Sequence, residues 1–207
     1  MKGIILAGGS GSRLYPITLS TSKQLLPIYD KPMIYYPLTT LMQMNIRNIL
    51  IISSKESLSQ FKLLLGDGKN LGINIKYAIQ DKPRGIADAF IVGEKFINNN
   101  KVALILGDNI FYGSDLNPNI IKNFKKGGQI FLYKVNNPSQ YGVAQIKNNK
   151  IIKIIEKPKK PQSKFAVTGV YFYDNKVIDF VKTLKPSKRN ELEITDLNNI
   201  YLKKKEL

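Results

Sequence analysis

Residues 2–14 read Lys-Gly-Ile-Ile-Leu-Ala-Gly-Gly-Ser-Gly-Ser-Arg-Leu, a short apolar run feeding a loop of glycines and serines that closes on an arginine. Gly8, Gly9 and Gly11 carry no Cβ, so their backbone can take positive φ and turn bare N–H groups toward a close-lying ligand. The guanidinium of Arg13 is a permanently charged fork suited to phosphate oxygens. A strand that runs into such a loop is how α/β proteins hold polyphosphates. A tight strand–loop turn accounts for the glycines equally well. Spacing sets aside the two common phosphate loops. A Walker A loop needs Lys-Ser or Lys-Thr where Ser12-Arg13 stand, and a dinucleotide loop needs a third glycine where Leu14 stands.

Further apolar runs of strand length recur at 48–53, 73–79, 102–106 and 129–135, after the first at 3–7. Segments with helical spacing lie between them, near 32–45, 56–65, 86–97 and 115–124. This alternation predicts an α/β fold with a mostly parallel central sheet and helices on both faces. Asp30-Lys31-Pro32 is read as a helix start, with Pro37 kinking that helix. From about 142 the texture changes. Strands at 142–147 and 151–155 join at Asn148-Asn149-Lys150, a Pro/Lys loop covers 157–164, a strand covers 165–173, and helices follow at 175–183 and 193–205. The expected organisation is a single domain, 1–207, with a nucleotide-binding half (1–135) and a second half (136–207) that closes over another ligand.

The chain contains neither cysteine nor histidine. Disulfides, thiolate sites, Ser–His triads and His-ligated zinc are therefore excluded within it. Chemistry must run on carboxylates, lysine, arginine, backbone amides and a hard metal ion, an inventory that suits phosphoryl or nucleotidyl transfer. The formal charge is +17, from 32 basic and 15 acidic residues, which favours polyanionic ligands. The lysines are scattered and no DNA- or RNA-binding motif accompanies them, so no nucleic-acid partner is expected. There is no run of eighteen apolar residues and no signal-peptide layout; a cytoplasmic location without a membrane partner is expected.

Several short blocks carry candidate chemistry. Lys23-Gln24 offers a second cation near the glycine loop, or an ordinary exposed lysine. Gln80-Asp81-Lys82-Pro83-Arg84-Gly85 follows the 73–79 strand, where open α/β sheets bind ligands. Gln80 matches a pyrimidine edge, and Gly85 opens the next helix and lets a ring approach; a plain turn is the other reading. Asp108, followed by Asn109, ends an apolar strand and is a magnesium ligand or a turn cap. Glu156-Lys157-Pro158, Tyr141-Gly142 and Thr168-Gly169-Val170-Tyr171 combine a carboxylate, phenols and a cation suited to a sugar phosphate. The acidic Glu191–Asp196 segment is a helix N-terminus or part of that sugar site.

Together these blocks resemble the sugar-nucleotide pyrophosphorylases, and among them the glucose-1-phosphate thymidylyltransferases. The similarity rests on Leu6 through Leu14, Ser22 through Leu38, Gln80 through Ala87, Leu106 through Asn109, Tyr141 through Val143, Glu156 through Pro158, Val167 through Asp174 and Glu191 through Asp196, all in family order. It implies a Rossmann-like three-layer nucleotidyltransferase fold. It also implies the reaction of dTTP with glucose 1-phosphate to give dTDP-glucose and pyrophosphate, opening dTDP-rhamnose and related deoxysugar synthesis. On this resemblance Leu6, Gly8, Gly9, Ser10, Gly11, Arg13 and Lys23 hold the triphosphate, and Gln24, Gln80, Pro83 and Gly85 the base. Asp108 binds Mg²⁺. Asp108, Asn109, Tyr141, Gly142, Glu156, Lys157, Val167, Gly169 and Tyr171 hold the sugar phosphate, and Arg13, Lys23 and Lys157 are catalytic. The family implies a homo-oligomer, a tetramer.

The family's chains usually continue past this point, through a Trp-Leu-Asp-Thr-Gly-Thr-like stretch that supplies a second metal carboxylate. This sequence ends at Lys203-Lys204-Lys205-Glu206-Leu207 and has no tryptophan. Either a fragment or a naturally shortened protein is expected, without that ligand, part of the sugar-site wall and helices that serve assembly. Other readings are a pyrophosphorylase using UTP or another base, and a weakly active nucleotide- or sugar-phosphate-binding remnant.

Overall fold

A computed structural model describes residues 1–9, 11–113 and 116–207. The expectation for Ser10 and the first residue of the helix expected over 115–124 lie outside the described residues. The chain runs through β1 (Lys2–Leu6), the two-residue strands β2 (Pro27–Ile28) and β3 (Lys31–Pro32), α1 (Tyr35–Gln43), β4 (Asn48–Ser53) and α2 (Lys55–Leu65). β5 (Asn74–Ile79), α3 (Asp88–Val92), α4 (Glu94–Ile97) and β6 (Val102–Leu106) follow. The remainder holds α5 (Pro118–Asn123), β7 (Gly128–Lys134), β8 (Gly142–Lys147), β9 (Lys150–Glu156), β10 (Phe165–Tyr173), α6 (Val177–Lys182) and α7 (Ile194–Lys203).

Runs such as Asn48–Ser53 become strands because both of their faces are covered. β5, β4, β1 and β6 lie side by side and parallel, with Ile4 level with Leu50 and Leu104. Successive side chains go to opposite faces. Ile5, Ile51 and Ile105 pack with Leu38, Leu41 and Phe61 from α1 and α2. Ile4, Leu50 and Leu104 pack with Phe90, Val177, Leu197 and Tyr201 from α3, α6 and α7. The result is the expected layer of helices on each face of a parallel core, and burying each such side chain is worth about 1.5–3 kcal/mol. α2 shows why a segment of this composition starts and stops where it does. Ser54 caps its first turn by accepting from the Ser57 N–H, and Gly66, at φ 57°, ends it.

Beyond β6 the sheet is antiparallel. Val170–Tyr173 of β10 pair with β6, β7 runs along the other edge of β10, Ala166 pairs with Val143 of β8, and β9 pairs with β8. Asn148 and Asn149, at φ 50° and 57°, supply the two left-handed positions that the β8–β9 hairpin requires. The β7–β10 register jumps between Val167 and Tyr171, a bulge that bends β10.

Three local expectations are corrected. Lys31-Pro32 forms a small strand against Pro27-Ile28, so α1 begins at Tyr35. Pro37 then sits in the first turn, where its missing N–H would have had no helical partner, and it is buried without breaking the helix. Gly85 does not open a helix, since α3 starts at Asp88 and the expected 86–97 helix divides at Gly93. Among the described residues no helix is long and apolar enough to cross a membrane.

Candidate active site

The loops at the carboxyl ends of β1, β5 and β6 gather on one side of the parallel core. In the first, Gly9 takes φ 105° with open space where a side chain would stand, and Gly11 takes φ 60° with Thr18 filling the space beside it. Among the described residues the N–H groups of Gly8, Gly9 and Gly11 find no acceptor. Unfilled backbone donors next to the exposed guanidinium of Arg13 are groups suited to an anion. Leu6, the last residue of β1, accepts from the Gly107 N–H and so ties this loop to the one after β6.

That second loop carries Asp108. Its Oδ2 pairs with Lys23 Nζ at 3.0 Å, and its Oδ1 accepts from Asn109 Nδ2 at 3.0 Å. The Asn109 Oδ1 accepts in turn from the Gly169 N–H at 3.0 Å, inside the β10 bulge. A Cβ on Gly169 would lie 2.5 Å from that oxygen, so any side chain there would have to push the Asn109 amide aside. Gln24 is buried against Gly107, and its Oε1 accepts from the Ser22 hydroxyl at 2.6 Å. Gln80 is buried at the end of β5, and its Oε1 lies on the Gly8 side. Pro83 is exposed in the loop that follows. The space that a Gly85 Cβ would need is taken by the Leu192 backbone at 2.5 Å, which accounts for glycine there through chain packing.

A cleft of about 1090 Å³ opens between these loops and the antiparallel strands. Arg13, Asp108, Asn109, Tyr141, Gly142, Glu156, Lys157, Val167, Gly169 and Tyr171 all line it. Glu156 ends β9, its Oε2 accepting from the Thr195 hydroxyl at 2.6 Å and its Oε1 from Arg189 at 3.3 Å. Arg189 is also bidentate to Glu193, at 3.2 and 2.7 Å, and reaches Glu191 at 3.4 Å. Burial pulls the arginine pKa down, but Glu193, then Glu191 and Glu156, hold it above the usual value. Burial and the Glu156 charge push the Tyr171 phenol up, leaving it a neutral hydrogen-bond donor. Lys157 sits at φ 39°, a left-handed conformation unusual for a long side chain, at the turn out of β9 beside this network.

The structure thus brings the Arg13, Asp108, Glu156 and Lys157 blocks to one cleft and joins Lys23 to it through Asp108. Leu6, the glycines, Gln24, Gln80, Pro83 and Gly85 lie in the adjoining loops and strand ends, outside the residues that line that cleft. Sequence reasoning missed Arg189 and named Thr195 only within the Glu191–Asp196 segment, read as a helix N-terminus or part of the sugar site. A signal for Arg189 existed: the chain holds only four arginines, Arg13, Arg47, Arg84 and Arg189, among its 32 basic residues. Where lysine dominates, an arginine marks a place that needs a planar fork.

A divalent cation fits the donor set. Among the described residues no group of three or more His, Cys, Asp or Glu could hold a metal alone. Asp108 is half-exposed at the cleft with hard oxygens, and one carboxylate completed by phosphates and water is how magnesium is commonly held.

A family model described as nucleotidyl transferase matches residues 2–207. A glucose-1-phosphate thymidylyltransferase of Neisseria meningitidis serogroup A is 56% identical over 205 residues, covering 98% of this chain and 71% of the relative. A protein of the same description from Mycolicibacterium smegmatis is 52% identical, covering 100% of this chain and 73% of the relative. Among solved structures, a Bacillus anthracis protein described as a glucose-1-phosphate thymidylyltransferase, in complex with a sucrose, superposes with a TM-score of 0.94 at 51% identity. That match covers 100% of this chain and 85% of the other. A UDP-glucose pyrophosphorylase complexed with UDP-glucose superposes with a TM-score of 0.85 at 26% identity, covering 100% and 88%.

Proposed function

The chain belongs to the nucleotidyl transferase family, and from that premise we propose that it makes dTDP-glucose and pyrophosphate from dTTP and glucose 1-phosphate. The observation that carries this reading is the single cleft with Arg13 and Asp108 on the wall built by the parallel strands and Glu156 and Lys157 on the antiparallel one. The relatives at 48–56% identity are thymidylyltransferases by name, whereas the uridine-nucleotide enzyme matches at 26%. That contrast favours thymidine over uridine.

The chemistry needs no imidazole. The attacking group is a phosphate oxygen of glucose 1-phosphate, already ionised near neutral pH because the second pKa of a phosphate monoester is about 6. It attacks the α-phosphorus of dTTP in line. The bond to the bridging oxygen breaks, and pyrophosphate leaves with that electron pair. Both reactants are anions, so the work of the site is to hold them together. The Gly8–Gly11 N–H groups and Arg13 take the triphosphate, and Lys157 takes the sugar phosphate. Lys23 holds the Asp108 carboxylate in place and adds positive charge beside it. Asp108 would hold Mg²⁺, which would supply charge neutralisation at the reacting phosphates. Glu156, Tyr141 and Tyr171, with Asn109 and the backbone of Gly142, Val167 and Gly169, hold the sugar hydroxyls. The nucleotide belongs to the 1–135 half and the sugar phosphate mainly to the 136–207 half, with Asn109 reaching it from the first. The setting is the cytoplasm, at the start of deoxysugar synthesis.

The test is a pyrophosphate-release assay with dTTP, dCTP, UTP or dATP, glucose 1-phosphate and Mg²⁺. Release that requires glucose 1-phosphate, is greatest with dTTP and stops on chelation of the metal is expected. Nucleotide binding without any release, or an equal rate with every base, contradicts the proposal.

A further inference from the structure

Gln80 does not stand alone. Its Nε2 donates to Asp88 Oδ2 at 2.7 Å, and Arg84 pairs with Asp88 Oδ1 at 3.1 Å. Asp88 is 1% exposed, and no step of the proposed reaction uses it. A buried carboxylate without partners would be strongly unfavourable, yet a plain apolar residue could have filled this first turn of α3. From this arrangement we infer that Asp88 is a positioning residue that fixes which end of the Gln80 amide faces the nucleotide.

An amide side chain has a donor end and an acceptor end of nearly equal shape, so its orientation is set by its neighbours. A carboxylate paired with a guanidinium only accepts, and it therefore holds the NH₂ of Gln80 on the Asp88 side. The Gly85 carbonyl, 3.4 Å from the same nitrogen, adds a second acceptor there. Oε1 is thereby turned toward the glycine loop, where a Cβ on Gly8 would stand 3.4 Å from it. No described residue donates to that oxygen. A ring meeting it must bring an N–H. Thymine and uracil carry one at N3, the centre of their pairing edge, whereas cytosine has a lone pair there, which would oppose the Gln80 oxygen. Asp88 and Arg84 thus select the imide pyrimidines from behind, without touching the nucleotide. This inference rests on the reading that Gln80 faces the base.

The experiment measures equilibrium dissociation constants for dTTP and dCTP by calorimetry, on the full chain and on the Q80L, D88N and R84A variants. The carboxamide introduced by D88N can present a donor to Gln80 as readily as an acceptor, so the Gln80 amide loses its fixed direction. The dTTP preference is expected to narrow by about tenfold in D88N, one hydrogen bond of discrimination. It should narrow by about threefold in R84A, where the carboxylate remains but is less firmly held. D88N added to Q80L should change the ratio no further. If burial of the new carboxamide prevents D88N from folding, the half-exposed Arg84 decides through R84A alone. A Q80L ratio that falls while D88N and R84A keep the wild-type ratio, or lose dTTP and dCTP affinity equally, assigns Asp88 a merely structural role and overturns the inference. A Q80L ratio equal to wild type instead removes the premise that Gln80 reads the base.

Discussion

Two regions of the cleft, the glycine loop with Arg13 and the network around Glu156 and Arg189, are built on opposite plans. On the parallel side Arg13 has no ion-pair partner among the described residues, and three loop N–H groups have no acceptor. On the antiparallel side Glu156, Thr195, Arg189, Glu193 and Ser187 are bonded to one another before any ligand arrives. The difference follows from what each wall is proposed to hold. A triphosphate is met by charge and backbone donors that stay solvated at little cost until it binds. Neutral sugar hydroxyls both donate and accept in fixed directions, so the groups reading them must be oriented in advance.

Substitutions on the two walls should therefore fail differently. Arg13→Ala removes charge that meets the triphosphate and is expected to lower kcat by about 10²-fold, with little change in KM for glucose 1-phosphate. A stopped-flow pyrophosphate assay reads this, and an unchanged kcat breaks the contrast. Lys157→Ala should raise KM for glucose 1-phosphate by about 30-fold, the scale of one lost charged hydrogen bond, while dTTP affinity in calorimetry stays near wild type. A matching loss of dTTP affinity would merge the two walls into one. Gly169→Ala tests the junction between them. Its Cβ would displace Asn109, which spans from Asp108 to β10, so kcat/KM for both substrates should fall by about tenfold in steady-state kinetics. Loss for one substrate only would place Asn109 wholly on that side. Thr195→Val, the mildest change, removes the 2.6 Å bond to Glu156 and should raise the sugar-phosphate KM about fivefold, with no change in melting temperature beyond a few degrees.

The parallel wall was the more legible in the sequence, because its groups sit directly after apolar runs. Asp108 follows β6 by two residues and Gln80 follows β5 by one, so finding the strand found the residue. The antiparallel wall is assembled by pairing between distant segments. Glu156, Thr195 and Arg189 meet only because β9 runs along α7, and no spacing within the chain encodes that approach. The bulge at Val167–Tyr171 was equally hidden, since an alternating strand looks the same with or without it. Pro37 misled for a different reason. Proline is disruptive inside a helix and harmless in its first turn, so a three-residue error in the boundary reversed its meaning. Gly85 carried a similar ambiguity, because a glycine required by neighbouring backbone and one required by a ligand read alike.

A crystal structure of this chain with dTDP-glucose bound would test most directly whether the two walls serve one reaction. The diphosphate should lie within hydrogen-bonding reach of both Arg13 and Lys157, with the base toward Gln80 and the glucose against Glu156. A product molecule touching only one wall, or seated outside the cleft, would contradict this arrangement.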